Sequence, residues 1–191
     1  MNTPPNDLRH ALDEVSASSA GGAPFLFAFG LTLLASGIVS FFVPLKVAAV
    51  VVMFQGNVAL PLAFWLERKL GQGRMAADNP LRPLSVLMAM SQLLGLPAVF
   101  IAYSYHPAMV PAALAAIGAA HFLPYAWLQR THLYTFLGVA VAVGSLAITI
   151  VLRREAFPWV LFFLTAIYWS VAPFLMRHAR RITSGVALQP A

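Results

Sequence analysis

Six long stretches of this sequence contain no charged residue, and apolar side chains dominate each of them. Each stretch is 20–23 residues long, and a bilayer core about 30 Å thick needs about 20 helical residues to be crossed. The pattern therefore predicts an all-α integral membrane bundle of six transmembrane helices with short hairpin connections. The predicted helices cover about residues 24–45, 47–66, 84–105, 107–129, 133–152 and 157–176.

The segments outside these helices are short. Residues 1–23 form an N-terminal tail whose positions 6–15 place Leu8, Ala11, Leu12 and Val15 on one side of a helix. This spacing is compatible with a short amphipathic helix on the membrane surface or with a frayed tail. Residues 67–83 form the longest loop, and residues 177–191 form a basic C-terminal tail. No large extramembrane domain fits in these segments.

Composition supports the membrane assignment. Hydrophobic residues make up 60% of the chain and charged residues 9%, whereas soluble domains carry about 25% charged residues. This composition excludes a soluble enzyme and a nucleic-acid-binding domain. The chain has no cysteine, which excludes disulfides and thiolate chemistry.

The distribution of basic residues predicts the orientation of the bundle. Lysine and arginine are enriched on the cytoplasmic side of membrane proteins. With both termini cytoplasmic, the cytoplasmic side holds Arg9, Arg68, Lys69, Arg74, Arg82, Arg130, Arg177, Arg180 and Arg181, and the other side holds Lys46, Arg153 and Arg154. The sequence therefore predicts that the N- and C-termini both lie in the cytoplasm.

Polar residues inside the predicted helices are the candidates for function. At a rise of about 1.5 Å per residue, four helices contribute Asn57, Gln92, His121 and Tyr168 to one layer in the cytoplasmic half of the bilayer, with Gln55 slightly farther from the cytoplasm. Such groups should face the bundle interior, because hydrocarbon offers them no hydrogen bonds. They can serve as hydrogen-bonding glue between helices or line a polar pocket, and the sequence leaves both open.

His121 begins a polar stripe that continues at Tyr125 and Gln129, toward the predicted cytoplasmic surface. Its imidazole can titrate near neutral pH, so a proton-relay role and a structural hydrogen bond are both compatible with the pattern. Four prolines are expected to distort the helices around the polar layer. These prolines are Pro61, Pro97, Pro124 and Pro173.

The sequence predicts no catalytic residues, no metal site and no cofactor. No aspartate or glutamate lies within the six predicted helices, which argues against carboxylate-driven proton or sodium coupling. No H-E-x-x-H motif is present, and His121 has no second histidine within the predicted helices to complete a metal or haem site.

The stretch 118–128, GAAHFLPYAWL, resembles the signature of an uncharacterised family of small bacterial multi-pass membrane proteins, a domain of unknown function. Pro61, the sequence Asn79-Pro80-Leu81 and Gln92-Leu93 extend the resemblance, which runs from about residue 25 to 176. Ser91 departs from the asparagine that is common before the glutamine. The resemblance implies a location in the bacterial cytoplasmic (inner) membrane and no particular activity.

Three functions remain open at this stage. The first is a small passive permease, facilitator or pore for a small neutral or weakly polar molecule, with Asn57, Gln92, His121, Tyr125 and Tyr168 along the path. The second is a non-transporting scaffold or interaction protein, and a less favoured third is an intramembrane lipid-modifying enzyme. The expected partners are the lipid bilayer, anionic lipid headgroups at the cytoplasmic face and a second copy of the chain in a homodimer.

Overall fold

The computed structural model of the protein describes residues 5–71 and 75–186, and all regular structure in these ranges is helical. The α-helices are α1 Pro5–Ser18, α2 Ala23–Val39, α3 Leu45–Phe54, α4 Gly56–Leu70, α5 Arg82–Ser91, α6 Leu96–Tyr105, α7 Val110–Leu128, α8 Leu133–Leu152 and α9 Ala156–Val186. Short 3₁₀ turns lie at Ala20–Gly22, Gln92–Gly95, Pro107–Met109 and Arg153–Glu155.

Five segments of the described chain are long and apolar enough to cross a membrane, in agreement with the predicted class of protein. They are Ala20–Val39, Leu45–Leu70, Arg82–Tyr105, Pro107–Leu128 and Leu133–Ile182. The fifth segment contains two helices, α8 and α9, which pack against each other on either side of the turn at Arg153–Glu155. Arg153 has a positive φ of 48° at this turn.

Two of the predicted helices contain a short irregular turn, here called a break, at which the backbone angles stay right-handed helical. The predicted helix 47–66 is divided between α3 and α4 at Gln55 and Gly56. The predicted helix 84–105 is divided between α5 and α6 by the 3₁₀ turn Gln92–Gly95. The glycine in each break lowers the helix propensity. Pro97 has no amide hydrogen, so it cannot continue the backbone hydrogen bonds of α5 across the second break.

The ends of several elements also differ from the prediction. The helix predicted at 24–45 stops at Val39, and the helix predicted to begin at residue 47 begins at Leu45. The predicted C-terminal tail begins inside α9, which continues to Val186. The predicted N-terminal tail holds α1 and the turn Ala20–Gly22. Arg74 and residues 187–191 lie outside the described residues.

α2 and α9 form the best-packed pair of long helices, and small residues allow their close approach. α2 lies between α9 and α4, while α7 packs on α8, which in turn packs on α9. Gly30 of α2 leaves room for the ring of Trp169, and the Thr165 hydroxyl donates to the Gly30 carbonyl at 3.1 Å. Small residues that allow helix backbones to approach are typical of helix packing in membranes.

α1 lies across one end of the bundle, which we call the α1 face. The start of α5, the end of α7 and the end of α4 meet α1 at this face. The turns at Pro107–Met109 and Arg153–Glu155 contact each other at the opposite end. Leu81 and Leu128 form a small separate core beneath Ala11, Leu12 and Val15 of α1. α1 therefore contributes to the packing of the bundle rather than extending away from it.

Candidate functional site

His121 lies at the contact between α7 and α5. Its partly buried ring is next to the backbone of Met88 on α5 and 4.8 Å from the ring of Tyr125, one turn along α7. Its Nδ1 atom is buried and has no hydrogen-bond partner among the described residues. A buried polar atom without a partner is uncommon in folded proteins and suggests a place for water or a polar ligand.

Tyr125 and Tyr168 belong to an aromatic cluster made of His121, Phe122, Tyr125, Tyr134 and Tyr168. The ring of Phe122 lies 5.8 Å from Tyr168 in an edge-to-face arrangement, and Tyr125 lies 5.7 Å from Tyr134. Both geometries fall in the range that favours aromatic pairs. The cluster links α7, α8 and α9, so it fixes the side of α7 next to His121.

Gln92 lies at the start of the break in the third segment, and it is partly buried. The break packs on α7, where Gly95 meets the side chain of Ile117. Neither the Gln92 amide nor the His121 imidazole makes a hydrogen bond to another side chain of the described residues. The structure thus brings Gln92 and His121 to the same pair of neighbouring segments without pairing their polar groups.

Gln55 and Asn57 lie elsewhere. The Gln55 carbonyl oxygen accepts a hydrogen bond from the Thr32 hydroxyl, so this side chain attaches the break between α3 and α4 to α2. Asn57 is exposed on α4, on the side away from Ala59 and Ala63, which are fully buried. The structure therefore does not join these two residues to His121.

Three of the four prolines lie within helices, as the sequence suggests: Pro61 in α4, Pro124 in α7 and Pro173 in α9. Pro97 instead lies in the first turn of α6, a position that tolerates proline well. A proline within a helix cannot donate to the carbonyl four residues earlier. For Pro61 this carbonyl belongs to Asn57, which places a backbone acceptor and a side-chain amide at one exposed position.

Glu67 is an acidic residue close to the aromatic cluster. It lies one turn before the end of α4, within the apolar segment Leu45–Leu70, and it interacts electrostatically with Tyr125. The structure therefore extends this apolar segment beyond the predicted helix, so that it includes an acidic residue at the end of α4. The predicted helix ended one residue earlier, at position 66.

The α1 face holds a second group of polar contacts, which the sequence reasoning missed. The buried Asn79 amide donates to the Ala11 carbonyl at 3.2 Å and to the Glu14 carboxylate at 2.6 Å. Arg130 pairs with Asp13 at 2.7 Å. The carboxylates of an amphipathic N-terminal helix were the available signal, but the sequence does not reveal their partners.

Gln129 lies between these contacts and the His121 stripe. It is 1% exposed, and its amide donates to the Ser19 hydroxyl at 3.2 Å. Its carbonyl oxygen Oε1 is buried without a partner in the described part of the chain, and its backbone carbonyl lies 3.2 Å from His178 Nε2. The polar stripe predicted on α7 therefore ends beneath α1 rather than in solvent.

A shallow, open depression of about 410 Å³ lies on the exposed side of α5. It is lined by Arg82, Pro83, Val86, Leu87 and Met90. Met88, which lies beside His121, is not part of its lining, so the depression is separate from the aromatic cluster. Within residues 5–71 and 75–186, no group of three or more His, Asp and Glu residues could hold a metal ion.

Comparison with known proteins gives one match. The model of a family of unknown function, DUF7010, matches residues 8–178. This match agrees with the resemblance drawn from the sequence, and it extends over α1 as well as the long helices. Neither a curated protein nor a solved structure matches the chain.

Proposed function

This chain belongs to DUF7010, a family of unknown function, and on that premise we propose that it is a passive permease of the bacterial inner membrane. In this proposal six transmembrane helices surround a path for a small neutral or weakly polar molecule, and both termini are cytoplasmic. α8 and α9 count as separate spans, because they have 20 and 31 residues. The charged turn between them would lie outside the bilayer.

The Gln92 amide and the His121 Nδ1 atom, which have no hydrogen-bond partner among the described residues, are the observation that carries this proposal. Both side chains are partly buried in an apolar bundle, where an amide or imidazole without a partner is costly. The His121 imidazole is hydrogen-bonded to the Met88 backbone on α5, but its Nδ1 atom and the Gln92 amide do not bond to each other, as a purely structural pair between helices would be expected to do. Their free hydrogen-bonding capacity suits a polar solute that passes between α5 and α7.

The 3₁₀ turn at Gln92–Gly95, which packs on α7, supports a path beside His121. Irregular backbone within a membrane is tolerated where it is buried in protein or lines a water-filled cavity. The breaks at Gln55–Gly56 and Gln92–Gly95 divide two neighbouring segments near their middles.

The packing of the broken segments differs between the two ends of the bundle. Away from the α1 face, α3 packs on α2, α6 and α7. Nearer the α1 face, α4 packs on α2, and the described residues show no comparably extensive contact between α4 and α5 or α7. We therefore place the path between α4, α5 and α7, in the half of the bundle that would face the cytoplasm.

The proposal treats transport as passive. Amide, imidazole and phenol groups surround the path inside the bundle, and the Glu67 carboxylate, which interacts with Tyr125, lies at the end of α4 near the α1 face. Ion-coupled transporters commonly place carboxylates within the membrane. A neutral or weakly polar solute is the class that amides and phenols recognise by hydrogen bonding without a compensating charge.

Stopped-flow measurements on liposomes that contain the purified protein test the proposal, with glycerol and urea as probe solutes. We expect wild-type flux above that of protein-free liposomes. Gln92→Ala and His121→Ala should each lower the flux about 5-fold, the loss that corresponds to one hydrogen bond of about 1 kcal/mol. The matched controls are Ser91→Ala, next to Gln92, and His106→Ala at the opposite end; both residues are exposed.

Two outcomes would contradict the permease proposal. One is wild-type flux equal to that of protein-free liposomes for both probes. The other is flux above this background that neither Gln92→Ala nor His121→Ala reduces, because the path would then lie elsewhere. A loss of flux in the control variants equal to that in the test variants would count against it in the same way.

A scaffold that contacts anionic lipid is the second candidate, and the depression on α5 favours it. Arg82 lies at one end of this apolar depression and has no ion-pair partner among the described residues. An arginine next to an apolar surface suits a lipid with an anionic headgroup. Phosphatidylglycerol that copurifies with wild type and Arg153→Gln but not with Arg82→Gln, together with background flux, would favour this function over transport.

A further inference from the structure

α1 is attached to the bundle by a turn with an unusual backbone. Ala20, Gly21 and Gly22 have positive φ values of 48°, 66° and 79°. The Tyr134 hydroxyl donates to the Gly21 carbonyl at 2.7 Å, and Gly21 packs against the backbone of Leu175. The turn is therefore held firmly by α8 and α9, and it sets the direction in which α1 leaves the bundle.

Beyond this turn, two adjacent carboxylates hold α1 to different elements. The Glu14 carboxylate accepts hydrogen bonds from the Ala76 backbone amide and the Asn79 side chain, both in the loop before α5. Asp13 pairs with Arg130, just after α7. α1 thus bridges the start of α5 and the end of α7, the two helices that flank the proposed path.

The apolar side of α1 covers the end of the path. Ala11, Leu12 and Val15 are buried against Leu81 and Leu128. Leu84 of α5 and Tyr125 of α7 pack against the same small core, and Tyr125 is the ring neighbour of His121. Movement of α1 away from the bundle would expose this core and bring water to the Tyr125 end of the polar stripe.

The contacts that hold α1 are of a kind that can be released. The Arg130 and Asp13 side chains are 43% and 20% exposed, and exposed ion pairs are weak and screened by salt. The small core beneath α1 is separate from the main core of the bundle. α1 also packs on α9, so its release must break this packing in addition to the two carboxylate contacts.

We propose that α1 is a latch that partly closes the polar path at the α1 face and opens it fully when the Glu14 and Asp13 contacts are released. This inference rests on the proposed function for its consequence, since the latch would control access to the path. The closed position itself depends on the contacts of α1 with α9, the loop before α5 and the end of α7.

Cysteine labelling of the full-length protein in liposomes tests the latch independently of flux, because the natural chain has no cysteine. Ala11→Cys places a thiol beneath α1, where Ala11 is 4% exposed. We expect a membrane-impermeant maleimide to label this thiol about 5- to 30-fold faster when Asp13→Asn and Glu14→Gln are added, the range that a loss of 1–2 kcal/mol gives. Glu155→Gln, at the opposite end, is the matched control and should leave labelling unchanged.

A second reporter and a salt series separate release of α1 from general loosening. Ala59→Cys reports on the fully buried contact between α4 and α2, and its labelling should stay the same in all variants. High ionic strength should accelerate labelling of Ala11→Cys in the wild-type background more than in the variant that lacks both carboxylates.

The outcomes distinguish the latch from the permease. An unchanged labelling rate of Ala11→Cys in the double variant overturns the latch whatever the flux. A labelling rate that rises as much at Ala59→Cys as at Ala11→Cys also overturns it. Faster labelling confined to Ala11→Cys supports the latch. Glycerol flux in the same liposomes tests the proposed function separately: flux that stays at the protein-free level contradicts transport, whereas a rise on release is expected if the latch closes the path.

Discussion

At the scale of single residues, the positions with special backbone geometry are more informative than the polar candidates. Gly22 has a φ of 79°, a region that side chains other than glycine enter at a cost of about 1–2 kcal/mol. An added Cβ would also collide with the Tyr134 hydroxyl. The glycine pair 21–22, which reads as a small-residue linker in the sequence, is therefore a structural requirement for placing α1.

Gly22→Ala should lower the stability of the protein, because it combines backbone strain with a collision at Tyr134. We expect a loss of at least about 1–2 kcal/mol, visible as a lower temperature of thermal unfolding in detergent. Gly56→Ala is the matched control: an added Cβ there meets nothing within 4 Å, and alanine favours helix over glycine. An unfolding temperature of Gly22→Ala equal to that of Gly56→Ala would contradict the conformation of this turn.

The polar candidates differ in what surrounds them. Gln55 has a partner in Thr32, and an interhelical hydrogen bond of this kind contributes about 0.6 kcal/mol. Gln92 and His121 have no side-chain partner among the described residues. Depth along a helix, which the sequence gives, placed all three near one layer. Only the rotation of each helix about its axis, which depends on packing, separates a structural bond from free polar groups.

At the scale of elements, the hydrophobic pattern predicted the long helices. It did not predict their breaks or the position of α1 across one end of the bundle. A run of about 20 apolar residues looks the same whether its backbone is continuous or interrupted, because each side chain still favours lipid over water. The breaks depend on local effects at Gly56, Gly95 and Pro97. The amphipathic spacing of residues 6–15 was compatible with a helix, but it could not reveal that Ala11, Leu12 and Val15 pack on Leu81 and Leu128.

Asn79→Ala should detach α1, because the Asn79 amide binds both Ala11 and Glu14 and its oxygen accepts the Leu81 amide at 2.9 Å. The side chain is buried, so its loss leaves groups unpaired at a cost of about 1–3 kcal/mol. We expect faster hydrogen exchange of the α1 amides and a lower unfolding temperature.

The matched control for this change is Asn57→Ala. Asn57 is exposed on α4 and makes no side-chain hydrogen bond among the described residues, so its removal should leave the exchange of α1 unchanged. Exchange of α1 in Asn79→Ala as slow as in wild type would show that the asparagine does not hold this helix in place.

At the scale of the whole molecule, the apolar segments and the distribution of charge support insertion in a bilayer. Exposed leucine, valine, phenylalanine and tryptophan side chains cover the long helices, a surface that suits acyl chains and would be unfavourable in water. The segment Arg82–Tyr105 is the least buried of the five. Its exposed surface leaves room for lipid or for the second copy of the chain that the homodimer hypothesis invokes.

The proposed orientation predicts which loops are accessible from each side of the membrane. Because the chain contains no cysteine, single cysteines introduced at Arg154 and Asp78 can be labelled without background from natural thiols. In intact bacterial cells, an impermeant maleimide should label Arg154→Cys directly and Asp78→Cys only after the membrane is permeabilised. Labelling of both from outside, or of both only after permeabilisation, would contradict the separation of these loops by the membrane.

The sequence by itself determined the class of the protein. The transfer of apolar side chains into lipid is favourable and that of charged side chains is costly, and both depend only on which residues are present and how they are spaced. It also marked His121 and Tyr125 in the segment that carries the family resemblance. Tertiary structure decided which polar groups found partners, where the helices break and what covers the end of the bundle. These features depend on contacts between residues far apart in the chain, such as Glu14 with Asn79 or Tyr134 with Gly21, and no local pattern encodes them.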